Sequence, residues 1–293
     1  MKNIKTIKGI NEIVESYDIF ILDQWGVMHD GKQGYKYAID CIEKLYQKNK
    51  KLIILSNSSQ RNNITTSRLS DLGFNPNYFL EIITSGEMIW QSLVNLNYDF
   101  TKKLQNNCFH IYDESNENGK NYIAGLDKYN FVEKIEDADF ILGCAPSQGL
   151  KTIDYIPLLT KAIQNNLPFV CANPDFETVE SSYNNPLICM GTIAELYKCM
   201  GGKVLILGKP SIEIYKKSTT KIQNIDKSKI VAIGDSLHHD IEGANVFGID
   251  SVLITSGIHS NYFDKNLPDW TTDLNQLQNL GIEPTFLCSE FKN

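Results

Sequence analysis

Short runs of uninterrupted apolar residues, each ending on a polar residue or a glycine, constrain this chain more than any other feature. Ile19-Phe20-Ile21-Leu22 leads into Asp23, and Leu52-Ile53-Ile54-Leu55 leads into Ser56. Val204-Leu205-Ile206-Leu207 runs into Gly208-Lys209, Ile230-Val231-Ala232-Ile233 into Gly234-Asp235, and Val252-Leu253-Ile254 into Thr255. Such runs have strand length, and continuous rather than alternating apolarity means that both faces are buried, as in a parallel sheet covered by helices. The segments between carry helical spacing. Tyr37 to Lys48 places Ala38, Cys41, Ile42 and Leu45 on one face, and Ile212 to Ile222 has a weaker version of the same pattern. Strand alternating with helix predicts a right-handed, doubly wound α/β domain with a parallel sheet. Ligands of such sheets sit outside the carboxyl ends of the strands. Asp23, Ser56, Lys209 and Asp235 all lie at or just past such an end, so two acids, a hydroxyl and a lysine are expected to converge on one site.

Residues 87–204 break this rhythm. They contain strand candidates at Cys108–Tyr112, Phe140–Leu142 and Phe169–Cys171, separated by helical segments at Thr152–Gln164 and Thr192–Met200. A stretch of this length is too long for a loop and large enough for a core of its own. It predicts an inserted α/β domain over 87–204, within a discontinuous core formed by 1–86 and 205–293. Lys209 and Asp235 then arrive after the insertion.

Charge removes other function classes. Lys and Arg total 28 against 35 Asp and Glu in 293 residues, a net charge of −7, and the only arginines are Arg61 and Arg68. Affinity for a phosphate backbone comes from counterions released at Lys/Arg clusters, so nucleic acid is not an expected partner. The cysteines at 41, 108, 144, 171, 189, 199 and 288 form no C-x-x-C pair, which fits reduced thiols in the core of a cytosolic protein. The first residues are charged and lack the apolar region of a signal peptide, and no apolar stretch approaches the ~20 residues that span a membrane. A cytoplasmic location away from membranes is expected.

Taken in order, Asp23-Gln24-Trp25-Gly26-Val27, Ser56-Asn57-Ser58-Ser59, Gly208-Lys209-Pro210 and Gly234-Asp235-Ser236-Leu237-His238-His239-Asp240 resemble the four motifs of the haloacid dehalogenase (HAD) superfamily. The interposed stretch, followed by Gly-Lys-Pro-Ser and Gly-Asp-Ser, resembles the class IIA members with a C2-type cap, among them the NagD-like and 4-nitrophenylphosphatase-like phosphatases. The resemblance implies a HAD-like Rossmannoid core, with Asp23 as the nucleophile that attacks phosphorus and passes through an acyl-phosphate. A Mg²⁺ ion is needed between two anions that would otherwise repel. Its implied ligands are Asp23, Asp235 and the main-chain carbonyl of Trp25. Asp240, five residues past Asp235, can ligate the metal, hold its waters or cap a helix. Ser56, adjacent backbone amides and Lys209 can stabilise the phosphoryl oxygens. The sequence around Lys209 is not a Walker A loop, because Pro210 stands where Ser/Thr is needed. Asn57 and Ser58 are implied substrate contacts. Asn173 and Asp175, in Ala172-Asn173-Pro174-Asp175, have turn composition and by resemblance lie on the cap face that meets substrate.

One residue departs from the phosphatase pattern. HAD phosphatases usually carry Asp two residues after the nucleophile, as general acid and then base, and here that position is Trp25. General acid–base catalysis contributes ~10²–10⁴-fold, or roughly 3–5 kcal/mol at 1.36 kcal/mol per decade. His29, His238 and His239 are candidate replacements by pKa, or exposed turn residues. Arg61 is either a contact for a substrate anion or a solvated helix start. The expectation is a Mg²⁺-dependent hydrolase of a small phosphorylated metabolite, restricted to good leaving groups. A weakly active or non-catalytic binder of a phosphorylated ligand is the alternative, with a dehalogenase-like ester on Asp23 a third reading. Class IIA relatives often dimerise, so a homodimer is the assembly that the resemblance offers.

Overall fold

A computed structural model describes residues 4–178, 187–260 and 281–293. The chain divides into two units, one of residues 1–56, 65–83 and 209–293, the other of residues 57–64 and 84–208. In chain order the strands are β1 (Lys5–Thr6), β2 (Ile19–Leu22), β3 (Lys51–Ser56), β4 (Phe79–Thr84), β5 (Asn107–Ile111), β6 (Asn130–Phe131), β7 (Phe140–Gly143), β8 (Phe169–Cys171), β9 (Val204–Ile206), β10 (Ile230–Gly234), β11 (Asp250–Ile254) and β12 (Phe286–Cys288).

The first unit is built on a seven-stranded sheet in the order β1-β12-β11-β10-β2-β3-β4. Pairing is parallel from β1 through β12, β11, β10 and β2 to β3. β2 and β10 are buried at every position, as their unbroken apolar runs require. Helix Lys36–Gln47 covers the sheet with the predicted face of Ala38, Cys41, Ile42 and Leu45. Burying one such Ile or Leu side chain contributes about 1.5–3 kcal/mol. Ile212–Thr219 forms the second predicted helix of this unit, ending short of Ile222.

The second unit carries a five-stranded sheet in the order β6-β5-β7-β8-β9, all parallel. Its own core includes Ile111, Ile141, Leu159, Phe169, Met190 and Tyr197. Two features differ from the sequence reading. The run Val204–Ile206, expected in the core domain, pairs with β8 at an edge of the second sheet and is half-buried on both faces. Among the described residues β8 is its one neighbouring strand, so continuous apolarity overstated its burial. Residues 57–64 also group with the second unit, which extends over 84–208 rather than 87–204. Of the cysteines expected in the core, Cys199 is exposed at the end of helix Met190–Cys199, and the others are buried and free. No helix among the described residues is long and apolar enough to cross a membrane.

Candidate active site

In the first unit, Asp23 and Asp235 are neighbours because their strands are. β2 and β10 pair with Leu22 opposite Ile233, and the Asp23 amide donates to the Ile233 carbonyl at 2.9 Å. Each acid therefore leaves the same carboxyl edge, where strand order reverses around β2, the usual place for a ligand in an open α/β sheet. Lys209 comes in on the turn before helix Ile212–Thr219, whose start is capped by the Ser211 side chain accepting from the Glu213 amide. Asp240 is carried by a wide, π-helical turn, Leu237–Ile241, immediately after β10. Such turns recur at functional sites because they displace one side chain from the helical ladder.

The Lys209 Nζ donates to Asp23 Oδ1 at 2.6 Å and to Asp240 Oδ1 at 2.7 Å. Their side chains are 3% (Lys209), 11% (Asp23) and 5% (Asp240) exposed, so the ion pairs are sheltered from solvent. Asp240 Oδ2 accepts from the Ser236 amide at 3.1 Å, and Asp235 Oδ2 from the Ile258 amide at 2.8 Å. One oxygen each from Asp23, Asp235 and Asp240 lie within 4.8 Å of one another. Burial, and then the charges of Asp23 and Asp240, hold the Asp235 carboxyl well above the usual carboxylate range, against the pull of the Ile258 amide and Lys209. Three acids against one lysine leave two negative charges in excess. Hard oxygen donors at this spacing, with surplus charge, fit a divalent cation of the Mg²⁺ type.

Several supporting residues carried no signal in the motif reading. Gly234 and Gly257 leave no room for a Cβ, because it would overlap the carboxyl groups of Asp240 and Asp235 respectively. The Tyr215 hydroxyl, itself pressed against Gly243, donates to the Asp240 carbonyl at 3.1 Å and braces the wide turn. His259 Nε2 accepts from the Leu237 amide at 3.2 Å. A glycine shortly after a buried strand is the sequence cue that could have flagged Gly257.

The remaining predicted residues fall into two groups. Ser56 ends β3 in the first unit and is buried. Asn57, Ser58, Asn173 and Asp175 belong to the second unit. There the Asn57 side-chain amide donates to Asp175 Oδ1 at 2.8 Å across 118 residues of sequence. The Asp175 amide donates to Asn173 Oδ1 at 3.0 Å, the Cys171 thiol donates to the Asn173 carbonyl, and the Gly191 amide donates to the Asp175 carbonyl. Ser58 accepts from the Gly86 amide through its carbonyl at 2.9 Å.

Trp25 is packed into its own loop. Its indole lies on Gly31 so closely that a Cβ there would overlap the ring, and Gly31 has φ +86°. The His29 ring meets it edge-on at 5.2 Å, and the Arg68 guanidinium lies 5.7 Å from it while donating to the Gly31 carbonyl at 2.7 Å. His29 Nδ1 accepts from the Gly31 amide at 3.1 Å, so the neutral ring carries its proton on Nε2, which has no partner among the described residues. Burial first, then Arg68, push its pKa down to about 4 despite Asp30. A ring that stays neutral down to that pH cannot serve as the replacement acid near neutrality, which corrects that candidacy. His238 is exposed, whereas His239 is buried with Nδ1 at 2.9 Å from Ser236 Oγ. Arg61 stands directly before helix Asn62–Asp71, its side chain 25% exposed. Its guanidinium is bound to Glu87 and stacked on Trp90 within the second unit.

A family model described as haloacid dehalogenase-like hydrolase matches residues 20–132, and one described as HAD-hydrolase-like matches residues 206–291. No curated protein sequence matches the chain. Among solved structures, a haloacid dehalogenase-like hydrolase from Brucella suis 1330 is 26% identical with a TM-score of 0.80, covering 97% of this chain and 99% of its own. A possible sugar phosphatase of the HAD superfamily from Cytophaga hutchinsonii is 20% identical with a TM-score of 0.75, over 99% of both chains. A glycerol phosphate phosphatase from Mycobacterium tuberculosis, in complex with magnesium, is 18% identical with a TM-score of 0.65, covering 99% of this chain and 78% of its own.

Proposed function

The chain belongs to the haloacid dehalogenase-like hydrolases of class IIA, and from that premise we propose that it is a Mg²⁺-dependent phosphatase of a small phosphorylated metabolite. The observation that carries this reading is the buried cluster in which Lys209 bridges Asp23 and Asp240 while Asp235 completes a triad of oxygens within 4.8 Å. Solved relatives described as a possible sugar phosphatase and as a glycerol phosphate phosphatase in complex with magnesium support it.

In this reading Asp23 is the nucleophile. Its carboxylate oxygen forms a bond to phosphorus as the bond from phosphorus to the leaving oxygen breaks, and water then cleaves the aspartyl-phosphate. Lys209 neutralises charge on the crowded phosphoryl group, and Ser56 donates a hydrogen bond to it. Asp23, Asp235, Asp240 and the main-chain carbonyl of Trp25 would hold Mg²⁺. When bound, the ion supplies charge neutralisation between the attacking carboxylate and the phosphoryl oxygens. Asn57, Ser58, Asn173 and Asp175 are assigned to the substrate, which makes the second unit the specificity domain.

Trp25 fixes the range of substrates. An indole transfers no proton, so the departing oxygen leaves as an anion, and acyl and aryl phosphates are favoured over alkyl phosphates. A panel of phosphoesters with Mg²⁺, repeated with EDTA and with Asp23→Asn, is the test. Turnover of aryl or acyl phosphates that both controls abolish supports the reading, and no turnover above the Asp23→Asn control for any ester refutes it. The absence of a proton donor at position 25 favours one second reading, a phospho-ligand binder that does not turn its ligand over. Tight phosphate binding without product in the same panel would establish that alternative. Ester chemistry of the dehalogenase type needs no metal carboxylates and leaves Asp235 and Asp240 without a purpose.

A further inference from the structure

Arg61 is charged, partly buried and unused by the chemistry above. It lies in residues 57–64, the segment that follows Ser56 and groups with the second unit. Its guanidinium is held on two sides. Nε donates to Glu87 Oε2 at 2.7 Å, Nη2 reaches Oε1 at 3.4 Å, and Cζ lies 3.5 Å from the centre of the Trp90 ring. Both partners are themselves fixed. Trp90 Nε1 donates to the Ala124 carbonyl at 3.1 Å, and its ring packs on Gly125, whose φ is +83°. Glu87 also accepts from the Asn62 amide at 3.2 Å and from Gln91 Nε2 at 3.0 Å. Burial raises the Glu87 pKa, but Arg61 and these donors more than reverse that and leave it lowered.

The bonds around this clamp converge on the backbone just after Ser56. The Gly86 amide donates to the Ser58 carbonyl at 2.9 Å, and the Thr84 hydroxyl to the Gln60 carbonyl at 2.6 Å. The Thr84 amide donates to Asn62 Oδ1 at 3.1 Å. Gly86 has no space for a Cβ because the Ser59 carbonyl lies against it, and its own carbonyl accepts from the Tyr122 hydroxyl at 2.7 Å. A segment reading Asn-Ser-Ser-Gln has little side-chain bulk of its own to hold a conformation. Only an arginine supplies a planar fork and a stacking face together, which lysine cannot reproduce.

We propose that Arg61 is a positioning residue: with Glu87 and Trp90 it fixes the backbone of residues 57–59, and through it the hydrogen bond from Asn57 to Asp175, so that the substrate-facing groups of the second unit are pre-organised for a phosphoryl group. This deepens the phosphatase reading and rests on it. Pre-organisation of a loop acts on binding, because the ordering cost is met before the ligand arrives.

The test compares the wild-type chain with Arg61→Ala and Arg61→Lys. KM and kcat are measured for 4-nitrophenyl phosphate with Mg²⁺, Kd for inorganic phosphate by calorimetry, and the thermal midpoint alongside. Arg61→Ala is expected to raise KM and the phosphate Kd together by about 10-fold, or ~1.4 kcal/mol, with kcat within about 2-fold. Arg61→Lys keeps a charge opposite Glu87 and should lose less thermal stability, yet still raise both constants. A variant that loses thermal stability while KM and Kd stay unchanged overturns the proposal, as does one whose whole loss lies in kcat. If Arg61→Ala does not fold, Arg61→Lys decides on the same readings. A wild-type chain that binds phosphate but hydrolyses no ester refutes the phosphatase reading alone, and the phosphate Kd of the variants then decides this one. A wild-type chain that does neither overturns both.

Discussion

Replacing Asp235 by Asn should stabilise the metal-free protein while removing its response to Mg²⁺. Asp235 is buried opposite two other acids, with one oxygen of each within 4.8 Å. Two unit charges at that separation repel by about 3.5 kcal/mol at an effective dielectric constant of about 20. Lys209, bonded to Asp23 and Asp240, offsets roughly one of the two repulsions that Asp235 meets. Neutralising Asp235 therefore relieves about 3 kcal/mol, which for a chain of this size raises the thermal midpoint by roughly 6–10 °C. The amide oxygen of Asn can still accept from the Ile258 amide, so no hydrogen bond is forfeited. Saturating Mg²⁺ stabilises the wild type by about 2.7 kcal/mol at 100 times its Kd, and Asp235→Asn should show little of that gain.

The assay is thermal unfolding of both proteins in EDTA and in Mg²⁺, and the two curves should cross. The pH dependence in EDTA has a definite sign. Because the Asp235 pKa is raised on folding, the folded state binds more protons than the unfolded one. Its unfavourable effect is absent below the ordinary carboxylate pKa and grows as pH rises from there toward the folded value. Wild type should lose stability over that interval relative to Asp235→Asn. A variant less stable than wild type in EDTA, or one with an undiminished response to Mg²⁺, would refute the electrostatic account of this cluster.

Gly257→Ala should lower Mg²⁺ affinity and cost about 1–3 kcal/mol of stability, because its Cβ would overlap the Asp235 carboxyl group; titration of the thermal midpoint with Mg²⁺ checks both. Burial lowers the His110 pKa to about 4, so the folded protein takes up that proton later than the unfolded chain. Stability should fall by about 3 kcal/mol as pH drops from 6.5 to 4, and denaturant unfolding of His110→Gln should show a shallower loss over that interval. Trp25→Asp should raise kcat/KM for alkyl phosphates by up to ~10²-fold, the lower end of what a general acid contributes; rates that stay level or fall would assign the indole another task.

How much of this was legible depends on where each constraint resides. β2, β3, β10 and β11 were readable because a strand with neighbours on both sides buries both faces, and that demand is written locally in four or five consecutive side chains. Asp23, Lys209, Asp235 and Asp240 were readable for a related reason, since each stands a fixed few residues past a strand or before a helix. The same local rule failed at Val204–Ile206, whose apolarity serves an edge position in the other sheet. β4, interrupted by the polar Glu81, and β12, only three residues long, carry too little local pattern to be read. What no local pattern carries is pairing over distance. The hydrogen bond from Asn57 to Asp175 spans 118 residues and that from Arg61 to Glu87 spans 26, and both side chains were read in isolation. Position alone marks Arg61 as a helix-start residue; that its charge is answered by Glu87 is written nowhere near it in the sequence.

The same distinction between local and global governs the electrostatics of the site. A net charge of −7 sets the long-range field of the molecule, and that field repels a phosphorylated substrate. The carboxylate triad makes the immediate surroundings more negative still, since Lys209 cancels only one of its three charges. Substrate attraction therefore has to be switched on locally by whatever neutralises the triad. A divalent cation converts the −2 excess of the cluster to zero and leaves Lys209 able to act on the incoming phosphoryl group. Phosphate affinity should consequently depend on Mg²⁺ and vary little with the total charge on the surface. Substitutions that add surface lysines away from the cluster should alter the salt dependence of kcat/KM while leaving the metal requirement intact.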